Sequence, residues 1–285
     1  MYLYDYLWGA PEYTVAPDYP SSYPIPYSYG LPGNPLIANA YGFSSDSQRQ
    51  KTPDLKGGAE TAREEPHAKH VDLSAMFPKD LFLHGPENVK HVSLTFDDAP
   101  DDTFTPRVLD VLKQVNVKGT FFVIGERAAA HPDIMKRIVE EGHVIGNHTW
   151  NHPNLTKITK QEQAYQLDHT ENVIDQITGV RTALFRPPYG ALNPEVIEVL
   201  IKRKYKIIYW NVDSLDWMGL TGPQVTANIL AHTRAGSIIL QHAAGGKGED
   251  LSGTIAAIPY FVQTLRSEGF TFVTIPQLLN IPATK

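Results

Sequence analysis

The sequence contains no cysteine among its 285 residues. Disulfide bonds, thiolate metal ligands and a cysteine nucleophile are therefore excluded. Basic residues are missing from the N-terminal region, where the first Lys or Arg is Arg49. A secretory signal peptide starts with a positively charged segment, so we expect no standard export signal in the chain as given. No apolar run reaches the roughly 20 residues that a transmembrane helix needs, so we expect no membrane span.

The charge balance is only mildly acidic. The chain carries 31 acidic and 25 basic side chains, a net charge of −6. Nucleic acids and anionic membranes attract basic proteins, so this balance argues against either as a partner. The hydrophobic content of 42% allows a sizeable core, and the length fits one large or two ordinary domains.

Residues 1–70 differ in composition from the rest of the chain. Nine of the fourteen tyrosines lie within residues 1–41, interleaved with Pro, Gly, Ser and Asn. This stretch has neither helical nor strand periodicity and cannot bury a continuous apolar face, so we predict a largely disordered tail. The tail is either a docking segment for an envelope or coat, or a plain linker. We divide the chain into tail and linker (1–70), a lead-in segment (71–90) and a main domain (91–280).

Strand and helix patterns alternate through the main domain. We predict strands at 92–96, 119–124, 144–145, 183–186, 206–212, 237–241 and 271–274. Helices are predicted after an N-cap at Thr105, at 132–141, 159–178 (with a Thr159–Glu162 capping box), from 194 behind an Asn193 cap, at 223–232 and at 255–268. Repeated strand–helix units of this kind predict a parallel sheet.

The polar residues that stand out in the sequence follow the predicted strands. Active sites of α/β barrels lie at the carboxyl ends of the strands. An open doubly wound sheet also binds ligands there, but it normally carries a glycine-rich phosphate loop after its first strand. This chain has Asp97 and Asp98 at that place. We therefore predict an α/β fold with a distorted (β/α)7-type barrel.

Two acidic residues and two histidines have the composition of a metal site. His148 and His152 are four residues apart, so both can reach one ion from a single helical turn, and an adjacent carboxylate pair supplies a third ligand. Two His and one carboxylate suit zinc, while Co²⁺, Ni²⁺ and Fe²⁺ accept the same set. Successive side chains at a strand end point in different directions, so Asp97 and Asp98 need different roles. One binds the metal, and the other is free to accept a proton from the attacking water.

Five fragments in this order resemble the motifs of a known family. They are Asp97–Pro100, Gly146–His152, Arg186–Gly190, Asp213–Trp217 and Leu240–His242. Together they resemble the polysaccharide deacetylases, that is, carbohydrate esterase family 4 or the NodB-homology domain, over roughly residues 80–280. The resemblance implies a distorted (β/α)7 barrel and hydrolysis of acetyl groups on an acetylated sugar polymer.

The resemblance also implies a role for each motif residue. Asp98, His148 and His152 would hold the divalent metal, and Asp97 would be the general base. Arg186 would tether and orient Asp97.

The remaining motif residues would act on the substrate. Tyr189 would offer its backbone N–H to the oxyanion, and His242 would protonate the leaving amine, with Asp216 tuning its pKa. Trp217 and Leu240 would wall the pocket for the acetyl methyl group.

The chemistry of amide hydrolysis agrees with this division of roles. An amide nitrogen leaves only after protonation, so the reaction needs an acid separate from the base, and histidine titrates in the right range. Structural alternatives stay open for single residues: Arg186 as a salt-bridge residue, His242 as a core histidine, and Trp217 or Leu240 as plain core. Histidines without a partner pattern are predicted to be non-ligands: His67, His70, His84, His91, His131, His143, His169 and His232.

One position departs from the family pattern. Ala99 stands where the family usually has glycine. If the backbone there requires a positive φ, alanine costs roughly 1 kcal/mol, and if φ is negative the change is nearly free.

These observations predict a metal-dependent deacetylase acting on N-acetyl groups of peptidoglycan or chitin-like polymers. An O-acetyl xylan esterase, or a non-catalytic glycan-binding envelope or coat protein on the same fold, are the alternatives. The chemistry points to the cell envelope or the extracellular space.

Overall fold

The structure is a computed structural model that describes residues 52–55 and 72–285. The Tyr-rich part of the predicted tail lies outside these ranges, and the predicted domain boundaries stay a prediction. Within the described residues no helix is long and apolar enough to cross a membrane.

In the part of the chain that the structure describes, nine strands form one parallel sheet. They are β1 (Leu81–Phe82), β2 (His91–Ala99), β3 (Thr120–Val123), β4 (Val144–Asn147), β5 (Leu184–Phe185), β6 (Lys206–Ile208), β7 (Val212–Asp213), β8 (Ile238–His242) and β9 (Thr271–Phe272). Their order is β1-β6-β5-β4-β3-β2-β8-β7, with β9 paired to β2. The central strand β2 is buried along almost its whole length, as a parallel strand covered on both faces should be.

Two consecutive strands lie near opposite ends of this order. β6 pairs with β1 and β5, whereas β7 pairs with β8. Residues 209–211 join them, and four Cα steps span at most about 14 Å, so the two edges of the sheet must lie close together. Asn211 strengthens the junction, because its N–H donates to the Ile238 carbonyl and its side chain accepts the Ile238 N–H at 2.9 Å. The predicted distorted barrel is confirmed as a curled parallel sheet, whereas the single strand predicted at 206–212 is wrong.

Helices cover the sheet. They are α1 (Leu73–Met76), α2 (Thr105–Gln114), α3 (Gly125–Ala130), α4 (Pro132–Glu140), α5 (Lys160–Thr178), α6 (Pro194–Lys202), α7 (Gly222–His232), α8 (Ser252–Ser267) and α9 (Ile275–Leu279). The capping box predicted for α5 is present, and Gly179 ends that helix in the left-handed region at φ 71°. The Asn193 side chain caps α6 as predicted. Thr105 is not the cap of α2, because the Asp101 carboxylate accepts the N–H groups of Phe104 and Thr105 instead.

Ala99 occupies ordinary backbone geometry. It is fully buried and pairs with Val123 of β3. Its φ is not positive, unlike that of the preceding residue, Asp98, at 67°. Alanine therefore replaces the usual glycine without left-handed strain, and the methyl group packs in the core.

Acid is expected to destabilise this fold through His143. Its Nδ1 accepts the Gly119 N–H at 3.0 Å, and burial lowers the pKa of the imidazole from 6.5 to about 4. Protonation therefore favours the unfolded chain, so the stabilisation is complete above pH 6.5 and is lost as the pH falls towards 4, by about 3 kcal/mol. Urea unfolding at pH 7 and pH 4.5 measures this loss as a decrease in the free energy of unfolding.

The matched variant is His143→Asn, whose side-chain oxygen can accept the same Gly119 N–H. It should lose less stability between the two pH values than the wild type does. The same substitution at half-buried His84, which lies outside this contact, is the control. Equal acid dependence of the wild type and His143→Asn would contradict the assignment.

Candidate metal centre and active site

The predicted motifs meet at the carboxyl ends of the strands. Asp97 and Asp98 lie near the end of β2, His148 follows β4, Arg186 follows β5, and His242 is the last residue of β8. Asp97 is the register partner of His242 on the neighbouring strand. Parallel strands place their carboxyl ends at one edge of the sheet, so fragments distant in sequence form one site.

Three buried side chains have the geometry of a metal site. Candidate ligand atoms of Asp98, His148 and His152 all lie within 4.8 Å of one another. Asp98 Oδ1 is 3.5 Å from Nε2 of each histidine. That distance is too long for a good hydrogen bond, but two ligand atoms bound tetrahedrally to one ion at about 2.1 Å are separated by roughly 3.4 Å. The three residues therefore fit the predicted divalent ion.

His148 is oriented by its other ring nitrogen. Nδ1 lies 2.7 Å from the Arg186 carbonyl oxygen, which can only accept a hydrogen bond. Nδ1 must therefore carry the proton, and the lone pair of Nε2 faces Asp98. This is the arrangement by which proteins fix the tautomer of a metal-binding histidine.

The segment 148–152 is an irregular turn and not the predicted helical turn. Thr149 and His152 have φ of 72° and 63°, in the left-handed region. Side chains satisfy the backbone instead: the Asn147 amide oxygen accepts the Thr149 N–H, and the Gln166 amide oxygen accepts the N–H groups of Trp150 and Asn151. These side-chain hydrogen bonds replace the backbone bonds of a helical turn, yet both imidazoles still reach Asp98.

Arg186 is fully buried and binds Asp97. Its Nη1 donates to Asp97 Oδ1 and to the Thr95 hydroxyl, both at 2.8 Å. Nε and Nη2 donate to the carbonyls of Ile208 and Tyr209. A buried guanidinium with every nitrogen engaged has a fixed position, and it therefore holds its carboxylate partner in one orientation.

His242 and Asp216 form a second buried pair. His242 Nδ1 lies 2.8 Å from Asp216 Oδ1, and Asp216 Oδ2 accepts the His242 backbone N–H and the Thr254 hydroxyl. Burial by itself raises the pKa of Asp216, but the charge of His242 and these hydrogen bonds outweigh it, so the net pKa is lowered. Asp216 therefore stays ionised at neutral pH.

The predicted substrate-binding residues lie around these pairs. Tyr189 has a left-handed backbone with φ of 59°. This conformation costs roughly 1–3 kcal/mol of strain and is typical of functional sites. The Tyr189 ring contacts the His152 ring edge-on. Leu240 is two residues before His242 in β8, so both side chains project from the same face of the sheet. Trp217 is half-buried, and its indole N–H donates to Asp213.

The structure also identifies a positioning residue that the sequence did not reveal. Arg127 of α3 is buried and donates to the carbonyls of Asp98, Gly245 and Pro53 at 2.7–3.0 Å. It joins the end of β2, which carries the candidate ligand Asp98, to the loop that follows His242. A single arginine in a six-residue helix has no motif around it, so no sequence signal could have found it.

Histidines predicted to be non-ligands lie outside the metal triad wherever the structure describes them: His84, His91, His131, His143, His169 and His232. His67 and His70 are outside the described residues.

Comparison with known proteins identifies relatives of this chain. The polysaccharide deacetylase family profile matches residues 84–208. A peptidoglycan-N-acetylglucosamine deacetylase of Bacillus cereus is 43% identical over 196 residues, which cover 69% of this chain and 70% of that protein. The deacetylase PgdA of Listeria monocytogenes is 42% identical over 190 residues, but the match spans only 39% of its length and 66% of this chain.

Solved structures show the same architecture. The peptidoglycan N-acetylglucosamine deacetylase Bc1960, in complex with an N-oxidanyl-benzamide, superposes with a TM-score of 0.73 at 38% identity over 76% of this chain and 100% of its own. A Bacillus anthracis protein described as a CE4 family pseudoenzyme superposes with a TM-score of 0.65 at 28% identity, covering 70% of this chain and 68% of its own. The sequence relatives, the matching fold and the assembled motifs together lead to one conclusion: the chain belongs to the polysaccharide deacetylase family.

Proposed function

We propose that the protein is a metal-dependent deacetylase that hydrolyses N-acetyl groups of N-acetylglucosamine or N-acetylmuramic acid in peptidoglycan or chitin-like polymers. The observation that carries the proposal is the meeting of three units at one edge of the sheet. These are the triad Asp98–His148–His152, the Arg186–Asp97 pair and the Asp216–His242 pair. They provide a metal site, a base and an acid.

The three residues of the triad would hold the ion. Zinc is the ion we favour, and cobalt, nickel and iron fit the same nitrogen and oxygen donors. A divalent ion held there would polarise the acetyl carbonyl and make the attacking water more acidic.

Asp97 acts as the base. It accepts a proton from the attacking water, and its bond to Arg186 fixes the orientation of the carboxylate. The Tyr189 backbone N–H supplies a donor for the oxyanion, because its left-handed conformation lets the loop turn sharply beside His152.

His242 acts as the acid. It donates a proton to the leaving nitrogen, and the buried Asp216 carboxylate favours its protonated form before the transfer. Ester hydrolysis needs less help from an acid, because an alkoxide is a better leaving group than an amide anion. The well-formed Asp216–His242 pair therefore favours an N-acetyl over an O-acetyl substrate. Trp217 and Leu240 would enclose the acetyl methyl group.

A non-catalytic role on the same fold is the second candidate. The structural similarity to a pseudoenzyme motivates it, and the Tyr-rich segment would then serve only as a docking tail on an envelope or coat. The metal triad, base and acid are all present in this chain, which favours the enzyme. We expect it to act at the cell envelope or outside the cell, where its proposed polymer substrates lie.

Acetate release tests the function. The purified protein with Zn²⁺ is incubated with peptidoglycan, N-acetylated chitooligosaccharides and acetylated xylan, and acetate and free amino groups are both measured. We expect acetate and amine in equal amounts from an N-acetylated substrate. Acetate without amine would identify an O-esterase, and neither acetate nor bound metal would support the non-catalytic alternative.

A further inference from the structure

Thr254 reaches the active site from a helix that carries no family motif. It lies in the first turn of α8 and is fully buried. Its hydroxyl lies 2.7 Å from Oδ2 of Asp216. A serine or threonine hydroxyl near a helix start commonly caps backbone N–H groups, but this hydroxyl donates to a carboxylate instead.

The hydroxyl completes a clamp around the Asp216 carboxylate. Oδ2 is held by the Thr254 hydroxyl and by the backbone N–H of His242, while Oδ1 lies 2.8 Å from His242 Nδ1. Rotation about the terminal bond of an aspartate is soft, so one donor on Oδ2 leaves the carboxylate free to tilt. Two donors from different segments fix its plane, and Oδ1 then stays on the imidazole.

Close packing fixes the position of the hydroxyl itself. Gly253 lies so near the Leu220 carbonyl that a Cβ added there would be 1.9 Å from its oxygen. Gly222 approaches Ala256 in the same way, and a Cβ added to it would lie 2.8 Å from the Ala256 Cβ. The start of α8 therefore packs directly against the segment that follows Asp216, and Thr254 has little freedom to move away.

We propose that Thr254 is a positioning residue for the deacetylation step: its hydroxyl clamps Asp216, which in turn holds the His242 imidazole aimed at the leaving nitrogen. The inference rests on the proposed function for its kinetic consequence. The hydrogen-bond arrangement it describes has a separate spectroscopic signature.

Two substitutions distinguish the hydroxyl from the bulk of the side chain. Thr254→Val keeps the shape and removes the hydroxyl, whereas Thr254→Ser keeps the hydroxyl and removes a methyl group. We expect kcat of Thr254→Val to fall roughly ten- to a hundredfold with little change in KM, because a buried hydrogen bond to a charged group is lost. Without the hydroxyl, the Asp216 carboxylate can tilt away from the protonated His242 and stabilises it less, so the alkaline limb of the pH–rate profile should move to lower pH. Thr254→Ser should stay within about threefold of the wild type with an unchanged profile, because it keeps the hydrogen bond.

A role in packing alone predicts that Thr254→Ser, which loses a methyl group, is impaired more than Thr254→Val, which keeps the shape. If Thr254→Ser is impaired as much as Thr254→Val, or if both retain wild-type kcat and pH profile, the proposal is wrong. Thermal melting and metal content of both variants show whether they are folded.

The proton on His242 Nδ1 gives a readout that does not need turnover. In the wild type it should appear as a low-field ¹H NMR resonance, assigned by its loss in His242→Gln. We expect the resonance to persist in Thr254→Ser and to shift or broaden in Thr254→Val. If the wild type releases no acetate but the resonance follows this pattern, the proposed function fails while the clamp stands. An unchanged resonance in Thr254→Val contradicts the clamp, whether or not the enzyme is active.

Discussion

Replacement of Asp97 by asparagine is expected to abolish turnover while the divalent ion stays bound. A neutral amide cannot accept a proton from water, and loss of a general base typically costs 10²- to 10⁴-fold in rate. The amide oxygen can still accept the Arg186 hydrogen bond, so the guanidinium keeps a partner. The metal triad does not include Asp97. Acetate release and metal content, measured on the same preparation, test both halves of the prediction.

Asp101→Asn is the matched control for this variant. Asp101 is also buried and lies four residues further along, but its side chain caps α2. Asparagine caps helices as well as aspartate does, so this variant should keep its activity. Loss of the metal from Asp97→Asn would mean that the two aspartates have exchanged roles.

Replacement of His152 by alanine is expected to remove both the metal and the activity. His152 is fully buried, and its Nε2 lies 3.5 Å from Asp98 Oδ1. Without it the triad retains two ligands, fewer than the three protein ligands of a typical catalytic zinc site. Metal content measured by mass spectrometry should fall from about one ion per chain to background, and acetate release should fall with it.

Thermal unfolding gives a second readout for the same variant. An ion that binds only the folded state stabilises it, by about 2.7 kcal/mol at a free concentration 100 times Kd. Added Zn²⁺ should therefore raise the melting temperature of the metal-free wild type and leave that of His152→Ala unchanged. His169→Ala is the control, because this exposed histidine stacks on Tyr165 and lies outside the triad. If His169→Ala also loses the ion, or His152→Ala keeps it, the ligand assignment is wrong.

Local sequence signals predicted local structure well. The Thr159–Glu162 capping box and the Asn193 cap are both present, because a cap is a contact between residues two or three apart. The predicted helical turn at 148–152 is wrong because backbone N–H groups of this segment donate to Gln166, a distant residue in α5. Spacing alone correctly paired His148 with His152, but it could not give the backbone that brings them together.

The strand predicted at 206–212 failed for a different reason. The run has continuous strand character, yet the chain leaves β6, the second strand from one edge of the sheet, after Ile208 and joins β7 at the opposite edge at Val212. Strand propensity depends only on neighbouring residues, whereas strand order is set by the closure of the whole sheet.

The sequence by itself determined the alternation of strands and helices, the residues proposed to carry the chemistry and the family to which the chain belongs. These depend on residue type, periodicity and spacing, which are local properties. Tertiary structure alone decided which groups hold the proposed site residues. Thr95 binds Arg186, Arg127 binds the Asp98 carbonyl, and Thr254 binds Asp216. The physical reason is sequence separation, because each of these contacts joins residues 29 to 91 positions apart and exists only after the curled sheet has brought its strand ends together.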